Sequence, residues 1–296
     1  MAEPVLPWRL RPPRRVATAT FLSPAVRRLA QERGVDAAGI IGTGRDGRVT
    51  VADVTRAHSA EASGHRDRVH DEIVPLNAVQ RRAGALLLRS TQVAAHAFVA
   101  MEIDLDEVDA VRRASRLSFL PFVARAVVEA VRAFPWVNAT VNDGEVRAHA
   151  AVNVGIAVDL GHQGLIVPIV RGAQAKDLLT IASDIADVAR RARDRALIPD
   201  DVVGGTFTIT NPGPAGTAVS VPIINQPQVA ILSTDGVARR AVVIEATDGR
   251  DTIGTRATGV LGLSWDHRVF DVAYAAGFLA AVRGVLQDHD WRTEVG

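Results

Sequence analysis

The sequence predicts two units: a large α/β domain from about residue 73 to the end, and a small helical unit over residues 21–56 before it. Three observations predict this. From Ile73 onward, strand-like apolar runs alternate with runs of helical spacing, the pattern of an α/β domain. Residues 21–54 carry two helix starts separated by a glycine-rich turn. Between these regions lies "AHSAEASGHRDRVHDE", residues 57–72, polar, small and charged, which reads as a linker.

In chain order, residues 1–20 are rich in Pro, Arg and Ala without a clean period and read as a flexible tail. Ser23-Pro24 is a helix N-cap followed by proline at the first helical position, Val26, Leu29 and Ala30 make an apolar stripe, and Gly34 stops the helix. "GTGRDGR" is a compact turn, after which Thr50 caps a short second helix from Val51. In the large domain, residues 96–105, 150–160, 164–170, 204–211, 228–234 and 256–267 read as strands. Residues 119–134, 178–196 and 271–287 have helical spacing.

The bulk numbers exclude several classes. A formal charge of +1 over 296 residues argues against a general nucleic-acid binder. With no cysteine, disulfides, thiolate nucleophiles and cysteine metal sites are ruled out. The N-terminal "MAEPVLPWRLRPPRRV" lacks the apolar core of a signal peptide, and no apolar run is of bilayer-spanning length. A cytoplasmic protein with no membrane or nucleic-acid partner and no metal is therefore expected. Lys176 is the sole lysine.

The residues that invite chemistry lie in "SWDHRVFDV", residues 264–272, where His267 and Asp271 stand four apart between a strand-like and a helical run. A neutral imidazole held at the end of a strand can take a proton from a hydroxyl or thiol and pass it on. A bland alternative stands beside this: such a pair is also what a helix N-cap and a half-buried histidine look like.

Context favours the chemistry. "DHRVFDVAYAAGFL" resembles the His-x-x-x-Asp-Gly signature of the acyltransferase (E2) components of 2-oxo acid dehydrogenase complexes, whose fold is shared with chloramphenicol acetyltransferase. Other segments follow in the family's order: 75–90 and 96–104 as the opening helix and first strand, 119–143 as the next helix and turn, 152–170 and 204–232 as later strands. Residues 21–56 resemble its peripheral subunit-binding domain. The resemblance implies a chloramphenicol acetyltransferase-like mixed sheet with packed helices, preceded by that small helical domain.

By position, the resemblance implies His267 as general base, Thr210 in "FTITN" as hydroxyl donor to the tetrahedral oxyanion, and Asp271 as an orienting or structural group. Gly164 and Leu165 fall where the family lines its substrate channel, Asp266 and Arg268 are given local structural roles, and His96 reads as a partly buried, hydrogen-bonded histidine. Acetyl-CoA or another acyl-CoA is the implied co-substrate. A homotrimer with sites between subunits is implied, as is a possible protein partner through residues 21–56, where Arg27, Arg28, Arg45 and Arg48 would face an acidic surface.

Three departures bear on function. Lipoate in the family sits on a lysine in an Asp-Lys-Ala hairpin, and Lys176 is in "AQAKDLLT", so no lipoyl group is expected on this chain. Val272 replaces the glycine after the family's aspartate, which either reshapes the acceptor channel or is neutral. "LQDHDWRTEVG" lacks the apolar C-terminal knob of many relatives; Asp288, Asp290, Arg292 and Glu294 suit solvent, so assembly is expected to stop at the trimer. The first expectation is thus a free-standing acyl-CoA-dependent O-acyltransferase, like the O-acetyltransferases of tetronate antibiotic biosynthesis, acting on a small-molecule hydroxyl. The alternative is the core of a 2-oxo acid dehydrogenase complex with the lipoyl domain on another chain, and a third reading is an inactive docking scaffold.

Overall fold

The computed structural model describes residues 22–63, 73–142, 144–161, 163–245 and 251–296. The expected tail at 1–20 and the part of the expected linker beyond residue 63 lie outside the described residues. Those described form two compact units, one ending at Val74 and the other starting at Pro75.

In the first unit, α1 (Pro24–Arg33) begins where the Ser23 side chain accepts from Val26 N and ends at Gly34, whose N–H reaches Ala30 and Gln31 carbonyls. Two 3-10 turns, Ala37–Gly39 and Arg45–Gly47, lead to α2 (Val51–Ser63). Val26, Ala30, Val35, Ala37, Val49 and Val54 make a small core. A buried carboxylate organises the glycine-rich turn: Asp53 accepts from Thr43 N (3.0 Å) and Oγ1 (2.8 Å) and from Thr50 N (3.0 Å) and Oγ1 (2.8 Å). The Thr43 backbone N–H, then that of Thr50, and the two hydroxyls hold the Asp53 carboxyl well below the usual carboxylate range. Helix α2 continues through residues 57–63, where the sequence predicts linker. Alanines at 57, 60 and 62 are strong helix formers, and Ser59 bonds back to the Thr55 carbonyl, so a stretch that reads as polar extends the helix instead.

The second unit runs α3 (Ala78–Val93), β1 (His96–Asp104), α4 (Asp106–Ser115), α5 (Phe119–Val131), β2 (Ala139–Asn142), β3 (Glu145–Ala148), β4 (Val154–Ile156), β5 (Val158–Asp159), β6 (Leu165–Ile166), β7 (Ile169–Val170), α6 (Leu178–Arg193), β8 (Phe207–Thr210), β9 (Ala230–Glu245), β10 (Asp251–Asp266), α7 (Val272–Asp288) and α8 (Arg292–Val295). Six strands form one mixed sheet in the order β1-β10-β9-β8-β4-β7, with β8 parallel to β4 and β9 and the other pairs antiparallel. The mixed α/β architecture expected from the sequence is the one observed. It contains elements the sequence reading passes over: α4, the β2–β3 hairpin, and the extension of β9 and β10 into a ribbon reaching Glu245 and Asp251.

Period-two alternation assigns the faces of the sheet. Leu261, Leu263 and Trp265 of β10, Leu232 of β9, and Phe207 and Ile209 of β8 join the main core with Phe122 of α5 and Phe278 of α7. Gly262, Ser264 and Asp266 therefore point to the opposite face, with Ser233 and Thr210 on the neighbouring strands.

The C-terminal segment is less solvent-bound than its charges suggest. Trp291 is 1% exposed, edge-on to Phe122 with centroids 5.1 Å apart, and its indole N–H donates to the Leu286 carbonyl. Glu294, expected in solvent, is instead fixed by Arg125 Nε (3.2 Å), Leu178 N (3.0 Å) and His289 Nε2 (2.9 Å). Asp288, Asp290 and Arg292 are exposed as expected. The charged residues alternate around a tryptophan that anchors the segment to its own chain.

Candidate active site

His267 follows directly on the last residue of β10, and the turn that carries it is bracketed by its neighbours. Its backbone N–H donates to the Ala95 carbonyl (2.9 Å), while Ala95 N donates back to Asp266 Oδ1 (3.2 Å). The Asp266 carboxylate, 1% exposed, also takes Arg268 N (3.1 Å) and Arg268 Nε (2.9 Å). Burial pushes this carboxyl up, but the Arg268 side-chain and backbone bonds outweigh it and hold it below the ordinary range. The pairing of Asp266 with Arg268 expected from the sequence is thus a buried clamp under the turn. Above it, the His267 ring lies over Trp265, with centroids 5.8 Å apart and planes 29° apart. The ring is exposed, and among the described residues neither of its nitrogens has a hydrogen-bond partner. A backbone-fixed imidazole with both nitrogens unspent is what a proton-transfer group requires.

Asp271 has a different task. It is the N-cap of α7, and its Oδ1 accepts from Tyr274 N at 2.9 Å. The bland reading of the His267/Asp271 pair therefore holds for the aspartate but not for the histidine, which is exposed rather than half-buried. Val272 opens the helix at 53% exposure.

Thr210 ends β8 beside Ser233, half-buried, and its hydroxyl has no partner among the described residues. It is on the same sheet as His267 but not near it. Asp266 N bonds to the Val229 carbonyl, so His267 falls beyond the start of β9, whereas Thr210 is level with Ser233 and two strands away. Strand rise and strand spacing put their backbones roughly 20 Å apart. One copy of the chain does not bring these two groups together.

Gly164 and Leu165 are equally distant in role. Gly164 has φ +135°, and a Cβ there would meet Val79 Cγ1 of α3 at 2.9 Å, so close helix approach accounts for the glycine. Leu165, at 49% exposed, begins β6. Neither makes contact with His267 or Thr210 that the structure records. Lys176 is half-buried beside α6 and paired with Asp184 at 2.5 Å.

Two groups at the site escape the motif. Ala95 holds the His267 turn through its backbone alone, which no side-chain pattern reveals. His96, exposed at the head of β1 rather than partly buried, is hydrogen-bonded at both nitrogens, to the Ala94 carbonyl (3.2 Å) and from Ile224 N (3.1 Å). Its partner is 128 residues away, beyond the reach of any local spacing argument.

Comparison with known proteins places this arrangement. A probable dihydrolipoamide acetyltransferase from Listeria monocytogenes superposes with a TM-score of 0.69 at 31% identity, over 74% of this chain and 97% of that one. The pyruvate dehydrogenase dihydrolipoyllysine-residue acetyltransferase component of Corynebacterium glutamicum is 33% identical over 90% of this chain and 44% of its own length. The lipoamide acyltransferase component of the branched-chain alpha-keto acid dehydrogenase complex of Pseudomonas putida is 35% identical over 93% and 68%. The fold is that of an acyltransferase catalytic domain. The 2-oxoacid dehydrogenases acyltransferase (catalytic domain) family matches residues 69–291, and the e3 binding domain matches residues 20–55. The chain belongs to the 2-oxoacid dehydrogenase acyltransferase family. It spans about half the length of several curated relatives it matches. Among the described residues no helix is long and apolar enough to cross a membrane.

Proposed function

We propose that the chain is an acyltransferase component of 2-oxo acid dehydrogenase type, moving an acyl group between coenzyme A and a dihydrolipoyl thiol carried on another domain or chain. The comparisons favour this alternative over the free-standing O-acyltransferase that the sequence first suggests. In the proposed reaction His267 takes the proton of the attacking thiol, and the thiolate adds to the thioester carbonyl. The Thr210 hydroxyl donates to the oxyanion so formed. Collapse breaks the bond to the departing sulfur, which receives the proton from the imidazolium. Relatives include acetyl, succinyl and branched-chain components, so several acyl groups are candidates, acetyl-CoA first among them. A cytoplasmic setting and a protein partner for residues 21–56 belong to the same proposal.

The observation that carries the reading is the separation of His267 and Thr210. Each presents an unspent functional atom, their backbones roughly 20 Å apart on one chain, and two copies side by side supply one complete site. A cyclic homotrimer closes this arrangement, with three sites between subunits. The test is complementation. His267→Ala and Thr210→Ala are each expected to lose acyl transfer as homo-oligomers, whereas co-assembly from equal amounts restores activity at up to roughly a quarter of the sites. Failure of mixed assemblies to recover any activity overturns the shared site.

A second reading, O-acylation of a tetronate-type or other small hydroxyl acceptor, draws on Val272, whose exposed side chain stands beside Asp271 where the family has glycine. Turnover with acetyl-CoA and a hydroxymethyl-tetronate, but not with dihydrolipoamide, would favour it.

A further inference from the structure

We propose that His96 is a positioning residue, which ties the segment between β8 and β9 to the strand that brackets His267. The proposal rests on the acyl-transfer reading above and deepens it.

The chain leaves β8 at Thr210 and returns to β9 at Ala230 through an irregular segment lying over the sheet face that carries Ser233 and Asp235. Backbone outside a ladder needs partners of its own wherever it is buried. The first half has them: Asp235, fully buried, accepts from Thr217 Oγ1 (2.7 Å) and from Ser220 N (3.1 Å) and Oγ (2.8 Å). The second half turns on Ile224, fully buried against Ala94 and Ile231. Both its backbone groups are satisfied by side chains, its carbonyl by Ser90 Oγ (2.7 Å) and its N–H by His96 Nε2 (3.1 Å).

These bonds fix the state of the imidazole. A peptide N–H only donates, so Nε2 of His96 accepts, and Nδ1 carries the proton that goes to the Ala94 carbonyl. His96 stands opposite Asp266 in the β1–β10 register, next to Ala95, whose N–H and carbonyl bracket the His267 turn. Residues 94–96 are therefore one short link with two attachments: Ala95 to the turn of the proton-transfer residue, His96 to the segment that begins at Thr210. Loss of the imidazole leaves the Ile224 N–H without its acceptor, so that of the two side-chain bonds to this backbone only the one from Ser90 remains.

The experiment compares wild type, His96→Ala and His96→Gln in the intact protein. The glutamine Oε1 reaches the place of Nε2 and accepts the same N–H. Three readouts are taken: the nitrogen spectrum of 15N-histidine-labelled protein, hydrogen exchange of peptides spanning residues 217–228, and steady-state acyl transfer with acetyl-CoA and dihydrolipoamide. The wild-type spectrum is expected to show one histidine neutral with its proton on Nδ1, a signal absent in both variants. His96→Ala is expected to raise exchange at Ile224 roughly tenfold or more. It should also lower kcat by about tenfold or more while KM for acetyl-CoA shifts far less. His96→Gln should restore most of both. Unchanged exchange in His96→Ala, an Nε2–H tautomer in the wild type, or a folded glutamine variant without rescue would each overturn the proposal. If wild type transfers no acyl group, the proposed function fails, while tautomer and exchange still decide the link.

Discussion

Replacing Asp266 with alanine separates the clamp under His267 from the histidine itself. The substitution removes the acceptor for Ala95 N, Arg268 N and the Arg268 guanidinium. The guanidinium side chain is half exposed and regains water, so its loss costs little. The two backbone N–H groups beside a carboxylate that is 1% exposed are the costly part, at about 1–3 kcal/mol for each donor left unsatisfied. Since both lie near the surface, a total of about 2–3 kcal/mol is expected in urea or thermal unfolding. The effect on chemistry should be larger, because His267 has no side-chain bond to keep it in place once the bracket opens. A displacement of about 1 Å is enough for a loss on the order of 10²-fold in kcat. Asp266→Asn, which keeps one carbonyl oxygen for Ala95 N, should fall between the two. The pH dependence has a definite sign. The folded-state carboxyl lies below its ordinary value of 3.8, so its contribution is fully present above that pH and is lost as pH falls through the folded value. The stability gap between wild type and Asp266→Ala should thus be constant near neutrality and close below about pH 4. A folded Asp266→Ala protein with wild-type kcat would refute the view that this clamp positions His267.

Two other changes probe the helix and the C-terminal segment. Asp271→Ala removes the α7 cap and should cost about 1 kcal/mol in unfolding, with Asp271→Ser recovering most of it; a stability loss absent in Ala would deny the capping role. Trp291→Ala should cost about 3–5 kcal/mol in denaturant unfolding, since it empties a site against Phe122 and strands the Leu286 carbonyl. A change near zero there would mean that the segment does not anchor to its own chain.

Much of the fold was legible because it rests on local periodicity. The apolar stripes of α5 and α7, the Ser23-Pro24 start of α1 and the Thr50 cap of α2 are short-range signals, and each is found where they put it. Where the local signal misleads, a competing local energy or a distant partner has won. Alanine propensity extends α2 through a stretch that looks like linker. Pairing with β10 carries β9 well past residue 234, as far as Glu245, and on the way Arg239 and Arg240 bond back to Thr255 and Thr258. Burial of Trp291 draws Glu294 out of solvent into a network with Arg125.

The sequence by itself determined the family and much of the succession of elements, and it singled out His267, because motif residues in collinear order are properties of the chain. Only the tertiary structure decided what those residues do to one another. It showed Asp271 committed to a helix cap, Asp266 buried as a clamp, and His96 bonded to an amide 128 residues away. It also set His267 and Thr210 two strands apart and at different levels of one sheet. The reason is physical: periodicity reports which face of an element is apolar, whereas register, strand order and the partners of buried polar groups depend on contacts between residues far apart in the chain.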